Sequence, residues 1–395
     1  MSSLRLAVAH SAGQLAGQMS RLAGRGRGET LQGRVVLALD KKALIKLSAR
    51  RDIVLVTGTN GKTTTTANLA HILADGTGEK VSTSKFGANM RAGIASVLSS
   101  KPRHRLVVLE CDELYVPEVY KAIKPKVIVL LNLSRDQLHR TGEVRKVAQL
   151  WKDTFIHGDV TLVIDRDDPF LEYAASSAGH VLRVTFGGRR HPDAATCPSC
   201  ARIVDWSTGD YRCDCGLGSE LAQVRGDQRL SGPGRNAVLA IEAARLMGGT
   251  VDIEMQNELT ANAPDRTAQY EMAGHSVLVR LAKNPESWRG ALASIASEEV
   301  VLSVNARGID GRDTSWLWDI DYSPLVGRRI VCTGERRLDV AYRLHVQGAD
   351  VTVAHTFDEA IAMCSGKHIE AIASYTAFQD LASRDMGITR TIGRD

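Results

Sequence analysis

Asp52-Ile-Val-Leu-Val-Thr-Gly58-Thr-Asn-Gly61-Lys62-Thr-Thr-Thr65 decides the fold. Residues 52–57 are an apolar, β-branched run of strand length, and a helical pattern follows from about Lys62 to Ala74. Two glycines between them let the backbone turn tightly. The turn's N–H groups and the helix N-terminus then point at one place and favour an anion there. Lys62 reaches toward the β- and γ-phosphates of a nucleotide, and the Thr63 hydroxyl is placed to ligate Mg²⁺. The expected nucleotide contacts are Gly58, Thr59, Asn60, Gly61, Lys62, Thr63 and Thr64. The usual phosphate-loop spacing asks for glycine at position 56, where this chain has Val56.

Further strands are expected at Leu106–Leu109, Val127–Leu131, Thr161–Ile164 and Val181–Phe186, with helical patterns between them such as Glu143–Thr154. Continuous apolar strands separated by helices predict a parallel sheet covered on both faces. The pattern breaks at about residues 191–220, which read as an insertion, and resumes with a helix over Asn236–Met247. A second alternation starts near Ser276, with strands at Val277–Leu281, Val300–Val304, Arg329–Cys332, Val351–Ala354 and Ile369–Ala373. The expected organisation is a basic leader (1–51), an α/β nucleotide-binding domain (52–262) and a smaller α/β domain (263–395), with the boundary inside residues 258–274.

The 395 residues are 44% hydrophobic and 24% charged, ordinary values for a globular protein. No apolar run reaches the roughly 18–20 residues of a membrane span, and residues 1–28 lack the apolar core of a signal peptide. The net charge of +5 is uneven: residues 1–51 hold ten Lys/Arg against Glu29 and Asp40. That segment is either a solvated basic helix and loop or a contact for anionic lipid headgroups or an anionic substrate. Of the seven cysteines, Cys111, Cys332 and Cys364 lie singly in apolar stretches and read as core. Cys197, Cys200, Cys213 and Cys215 form two close pairs able to close a tetrahedral Zn²⁺ site; a redox pair or unligated thiols are the alternatives.

The loop Gly-Thr-Asn-Gly-Lys-Thr-Thr-Thr resembles the variant phosphate loop of Mur ligases and folylpolyglutamate synthetases. The resemblance extends along nearly the whole chain, and it is most specific to the MurT branch. Val108-Leu-Glu110-Cys-Asp-Glu113 is similar to its strand-end acidic motif, which implies Glu110 as a Mg²⁺ ligand with Thr63. Asn132–Glu143 resembles the family segment that closes over the nucleotide and metal, and Asp165-Arg-Asp-Asp168-Pro169 resembles the motif following the next strand. Gly232-Pro-Gly-Arg-Asn236 and Arg266 occupy the places of nucleotide contacts. The four-cysteine insertion and the run Asn305–Asp321 carry the branch signature, in which Asp313 stands at an active-site position. Two departures are Gly308-Ile309 before Asp310 and Lys283-Asn284-Pro285 in place of the ordinary His-Asn-Pro motif; the second also occurs in the MurT branch.

The resemblance implies a Mur-ligase-type central domain with a Cys₄ zinc-ribbon insertion and a Rossmann-like C-terminal domain. It also implies ATP, Mg²⁺ and Zn²⁺ as cofactors, and ATP-dependent amidation of the lipid II stem peptide through an acyl phosphate. Ammonia would come from a GatD-type glutamine amidotransferase subunit in a heterodimer, at the inner face of the plasma membrane. Two rival expectations are an amino-acid-adding ligase of Mur or folylpolyglutamate type, and a zinc-ribbon nucleic-acid-binding protein. The ribbon's balanced charge and few aromatics weigh against nucleic acid.

Overall fold

The computed structural model describes all residues except 1–7, 18–28, 85–87, 137–141, 157, 189, 209, 262–266, 308–312 and 385–395. The expected nucleotide contact Arg266 and the departure Gly308-Ile309 before Asp310 therefore lie outside the described residues. The chain divides into two units, one of residues 1–134 and 143–263, the other of residues 135–142 and 264–395.

The first unit is built on a seven-stranded sheet: β1 Asp52–Thr57, β2 Val81–Thr83, β3 Leu106–Glu110, β4 Val127–Leu130, β5 Thr161–Asp165, β6 His180–Thr185 and β7 Val224–Arg225. Its order is β2-β3-β1-β4-β5-β6-β7, and every pairing is parallel. Successive side chains of a strand face opposite ways. Ile53 and Leu55 accordingly enter one core with Trp151 and Phe155, while Val54 and Val56 enter another with Leu69, Leu73 and Leu239. With both faces covered, the strands read as unbroken apolar runs, as expected of a buried parallel sheet.

Residues 29–48, read from sequence within the basic leader, contribute to the first of these cores. They form helices Glu29–Leu39 and Ala43–Ser48, which bury Val36, Ala43, Leu44 and Leu47. Gly33 lies where helix Glu29–Leu39 crosses helix Arg91–Ser99. A Cβ at position 33 would sit 1.6 Å from the carbonyl oxygen of Ala92.

The second unit holds β8 Thr267–Met272, β9 His275–Leu281, β10 Glu299–Ser303, β11 Arg329–Thr333, β12 Val351–Val353 and β13 His368–Ala373. The order is β12-β11-β10-β13-β9-β8, parallel except for the β8–β9 hairpin. That hairpin turns through Ala273 (φ 50°) and Gly274 (φ 84°), two left-handed residues as a tight hairpin of this kind requires. β8 falls in the stretch expected to be a domain boundary. It is a half-buried strand, with Ala268, Tyr270 and Met272 inward and Gln269 and Glu271 outward, and its short alternation does not stand out in an apolarity scan.

Gly33→Ala should destabilise the first unit by at least about 2 kcal/mol, because backbone must move to admit the methyl group. Gly290, on helix Pro285–Ala293, meets nothing within 4 Å of its added Cβ. Gly290→Ala should raise stability by about 0.5–1 kcal/mol through helix propensity. Urea midpoints of the two variants check both signs; an unchanged midpoint for Gly33→Ala would contradict the close helix crossing.

Candidate functional site

β1 has β3 on one side and β4 on the other, so the connections leave it in opposite directions and open a crevice at its C-terminal end. The loop of residues 58–61 occupies that crevice. Gly58 (φ 138°) and Gly61 (φ 85°) both hold left-handed backbone. A Cβ on Gly61 would fall 2.1 Å from Nδ2 of Asn236, so the buried Asn236 side chain packs directly on the turn. From the other side Asn132 grips the loop. Its carbonyl oxygen accepts from Thr59 N at 2.9 Å, its Oδ1 accepts from Asn60 N at 2.9 Å, and its Nδ2 donates to Asn60 O at 3.0 Å. Thr59 Oγ1 accepts from Ser134 N at 3.0 Å.

Helix Lys62–Thr77 starts directly from this turn, with Thr63 and Thr64 half-buried in its first turn. Lys62 Nζ donates to Gly58 O and Thr59 O, and pairs with Glu113 Oε1 at 3.0 Å. Glu110 ends β3 in register with Val56, is 2% exposed, and accepts from Asn89 Nδ2 at 3.4 Å. The structure thus brings Gly58–Thr64, Glu110 and Asn236 to one sheet edge. It adds Glu113, which sequence reasoning missed as a partner for Lys62; its place three residues after Glu110 was the available signal. Trp151 Nε1 fixes the Glu113 carbonyl at 2.9 Å.

Asn236 is held in place by its neighbour. Helix Gly232–Leu246 begins four residues before the expected start, with Pro233 in its first turn, where a missing N–H costs nothing. Arg235 in that turn pairs with Asp165 at 3.1 Å and with Asp167, and its guanidinium lies 4.5 Å from the centre of the Phe186 ring. Asp167 also accepts from Thr185 Oγ1 at 2.7 Å and Phe186 N at 2.9 Å. Burial pushes the Asp165 carboxyl up to about 7; Arg235 opposes this and Asp167 adds to it. Asp165 and Asp167 share one guanidinium, and burial keeps Asp165 partly protonated near neutral pH. Asp168 has a structural post: it accepts from Leu133, Phe170 and Leu171 N–H groups and caps helix Pro169–Ala175.

Away from the loop, Cys197, Cys200, Cys213 and Cys215 converge with all four sulfurs within 4.8 Å of one another. The Cys197–Cys215 and Cys200–Cys213 sulfurs are 3.6 and 3.3 Å apart, too far for disulfide bonds. Zn–S bonds of about 2.3 Å in a tetrahedron need sulfurs about 3.8 Å apart, so the set fits a closed Zn²⁺ site. Burial pushes the Cys197 thiol up to about 12, while the Leu217 N–H lowers Cys215 to about 7. Cys197, Val204, Tyr211 and Leu217 belong to the main core, so the segment is packed into the first unit. Arg145 Nε donates to Pro198 O at 2.7 Å, and Arg166 donates to Glu220 O and Gly218 O at 2.6 Å each.

In the second unit, Asn305 follows β10 and joins three strand ends. Its N–H donates to Ser374 Oγ at 2.9 Å after β13, and its Oδ1 accepts from Glu335 N at 3.1 Å after β11. Gly334 (φ 90°) approaches Val304 O so closely that a Cβ would lie 2.6 Å away. Asp313 is exposed, and its Oδ1 accepts from Ser315 N at 2.9 Å at the start of the 3₁₀ turn Ser315–Asp319. Lys283 pairs with Asp136 at 2.8 Å, and Asn284 closes a capping box on helix Pro285–Ala293.

Residues 56–201 match the Mur ligase middle domain, and residues 281–378 match the MurT ligase C-terminal domain. The chain is 30% identical to the MurT subunit of a glutamine-hydrolyzing lipid II isoglutaminyl synthase from Streptococcus pneumoniae, over 95% of this chain and 97% of that protein. It is 28% identical to the Staphylococcus aureus subunit of the same name, over 92% and 94%. A MurF structure from Acinetobacter baumannii shares the fold, with TM-score 0.60 and 18% identity over 89% of this chain and 81% of that one.

Proposed function

The chain belongs to the MurT family of Mur ligases, and on that premise we propose that it is the synthase subunit of a lipid II isoglutaminyl synthase. The observation that carries the reading is the loop Gly58–Lys62 at the β1 end with Glu110 on the adjacent strand end, in a chain similar to MurT subunits along more than nine-tenths of its length. An α-carboxylate oxygen of the stem-peptide D-glutamate attacks the γ-phosphorus of ATP, ADP leaves, and an acyl phosphate forms. The lone pair of ammonia then attacks the acyl carbon, inorganic phosphate leaves with the carboxylate oxygen, and loss of a proton gives D-isoglutamine.

Lys62 and the loop N–H groups stabilise the charge that develops on the phosphoryl oxygens and the departing ADP. Lys62 must exchange Glu113 for phosphate oxygens when ATP binds, and Glu113 keeps the ammonium aimed at the loop until then. Thr63 and Glu110 would hold Mg²⁺, which when bound neutralises charge on the transferring group. Asn236 and Arg266 are assigned to nucleotide contacts, Asn236 through the loop turn it supports. Cys197, Cys200, Cys213 and Cys215 would hold Zn²⁺ with no open position, in a structural role.

Ammonia calls for a glutaminase. The three thiols outside the cluster are buried, and burial pushes Cys332 to about 12 and Cys364 to about 11, with Cys111 also well above its ordinary value. None of them is a thiolate nucleophile at neutral pH, which supports a separate GatD-type partner. Asp313 is assigned to the ammonia-transfer step. No described helix is long and apolar enough to cross a membrane; a lipid-linked substrate brings the enzyme to the inner face of the plasma membrane.

Zinc should be present at one equivalent per chain in protein purified without chelators, and Cys197→Ser should lose it together with thermal stability. Elemental analysis finding no zinc would remove the metal from the account. For Asp313→Asn, we expect wild-type melting temperature and nucleotide affinity, with glutamine-dependent amidation of lipid II down at least 100-fold in the presence of the glutaminase. Rescue by added ammonium salt would assign Asp313 to glutamine hydrolysis or ammonia delivery. Unchanged amidation would take the residue out of the reaction.

A further inference from the structure

At the edge of the first unit's sheet where the strands begin, cations outnumber carboxylates. Arg51 immediately precedes β1, and Lys101 and Arg103 precede β3, whose Leu106 pairs with Asp52. Asp52 is already taken by Arg105 and by Lys126 at 2.5 Å, and Glu79 binds the same Arg105. Arg51, Lys101 and Arg103 have no ion-pair partner among the described residues. Among the described residues, both Nη atoms of Arg51 are buried with no hydrogen-bond acceptor. His10, on the helix of residues 8–17, is 6% exposed, and neither of its ring nitrogens has a partner among the described residues.

The helix of residues 8–17 packs on helix Glu29–Leu39, where a Cβ on Gly13 would lie 2.8 Å from Val36, and Gln32 of that helix donates to Ser99 Oγ at 3.2 Å, two residues before Lys101. Burial holds His10 below its ordinary value, and Lys101 and Arg103 lower it further; burial and then Arg103 lower Arg51. A guanidinium with two buried donors unmet, and a buried imidazole in the field of the same Arg103, are unfavourable unless an anion compensates them. A phosphate group supplies the missing negative charge together with several acceptor oxygens.

We propose that Arg51, Arg103, Lys101 and His10 form a phosphate-binding site at the N-terminal edge of the sheet, distinct from the nucleotide loop. The six residues of β1 separate the two, about 20 Å of strand. The phosphate belongs either to an anionic phospholipid headgroup or to a soluble phosphate compound. Nearby helices expose Val8, Leu15, Leu31 and Ile45, and the first 51 residues contain only two acidic side chains, features that suit a headgroup. The inference rests on charge and burial alone and is independent of the amidation reading.

The test uses the full chain with its nucleotide loop kept saturated by ADP and Mg²⁺. Inorganic pyrophosphate is titrated calorimetrically, and vesicles containing phosphatidylglycerol are used for co-sedimentation, with wild type and the double variant Arg51→Gln/Arg103→Gln. The site predicts saturable binding of at least one probe by wild type, weakened at least tenfold in the variant. Loss of vesicle binding in the variant identifies a headgroup as the source. Loss of pyrophosphate binding with vesicle binding unchanged identifies a soluble phosphate. Side-chain NMR of His10 in the wild type, assigned by His10→Asn, gives a readout that does not depend on the double variant folding: the anion should raise the His10 pKa. No saturable binding of either probe, equal binding by wild type and a folded variant, or a His10 resonance that neither probe moves would overturn the site.

Discussion

Asn236 can lie against the loop of residues 58–61 only because residue 61 has no Cβ, and the proposed nucleotide site depends on that contact. The loop is gripped on its other side by the three hydrogen bonds of Asn132, so its N–H groups are aimed before any ligand arrives. Preorganisation of this kind spares the reaction the cost of orienting dipoles around the transferring phosphoryl group. Asn236 is in turn held by Arg235, whose guanidinium is anchored on two carboxylates at the end of β5. Loop, helix and sheet are therefore tied together through one buried ion-pair group. Removing Arg235 would leave two buried carboxylates uncompensated, a cost of about 3–5 kcal/mol in comparable cases.

The four-cysteine segment is bound into the same frame. Arg166 follows Asp165 directly, and it holds the carbonyls of Gly218 and Glu220 just beyond the cysteine cluster. Asp165 and Asp167, on either side of it, hold Arg235. A metal held by the four thiols, as proposed above, would stabilise the segment that Arg166 grips, at the strand end where the Arg235 brace is anchored. A closed structural site would in that way support the proposed nucleotide site.

Much of this was legible in the chain. The β1 run, the two glycines and Lys62 announce a strand, a left-handed turn and a helix from local chemistry alone, and the buried parallel sheet follows from unbroken apolar strands. The cysteine cluster was legible for the same reason: ligand spacing is local. Glu113 and Arg235 were not, because their partners are 51 and 68–70 residues away, and no periodicity links residues that meet only after folding. The packing of residues 29–48 was obscured by their charge: composition marks the segment as a solvated basic helix and loop, whereas the buried face of Val36, Ala43, Leu44 and Leu47 decides where it packs. β8 was missed because three inward residues make a weak signal next to a turn.

The central claim is that this loop drives phosphorylation of a carboxylate. Lipid II carrying ¹⁸O in the α-carboxylate of its D-glutamate, incubated with ATP, the glutaminase partner and glutamine, tests it most directly. Transfer through an acyl phosphate moves one labelled oxygen into inorganic phosphate for each amide formed, as mass spectrometry of the released phosphate would show. Label appearing in AMP, or amide formed with unlabelled phosphate, would contradict the account.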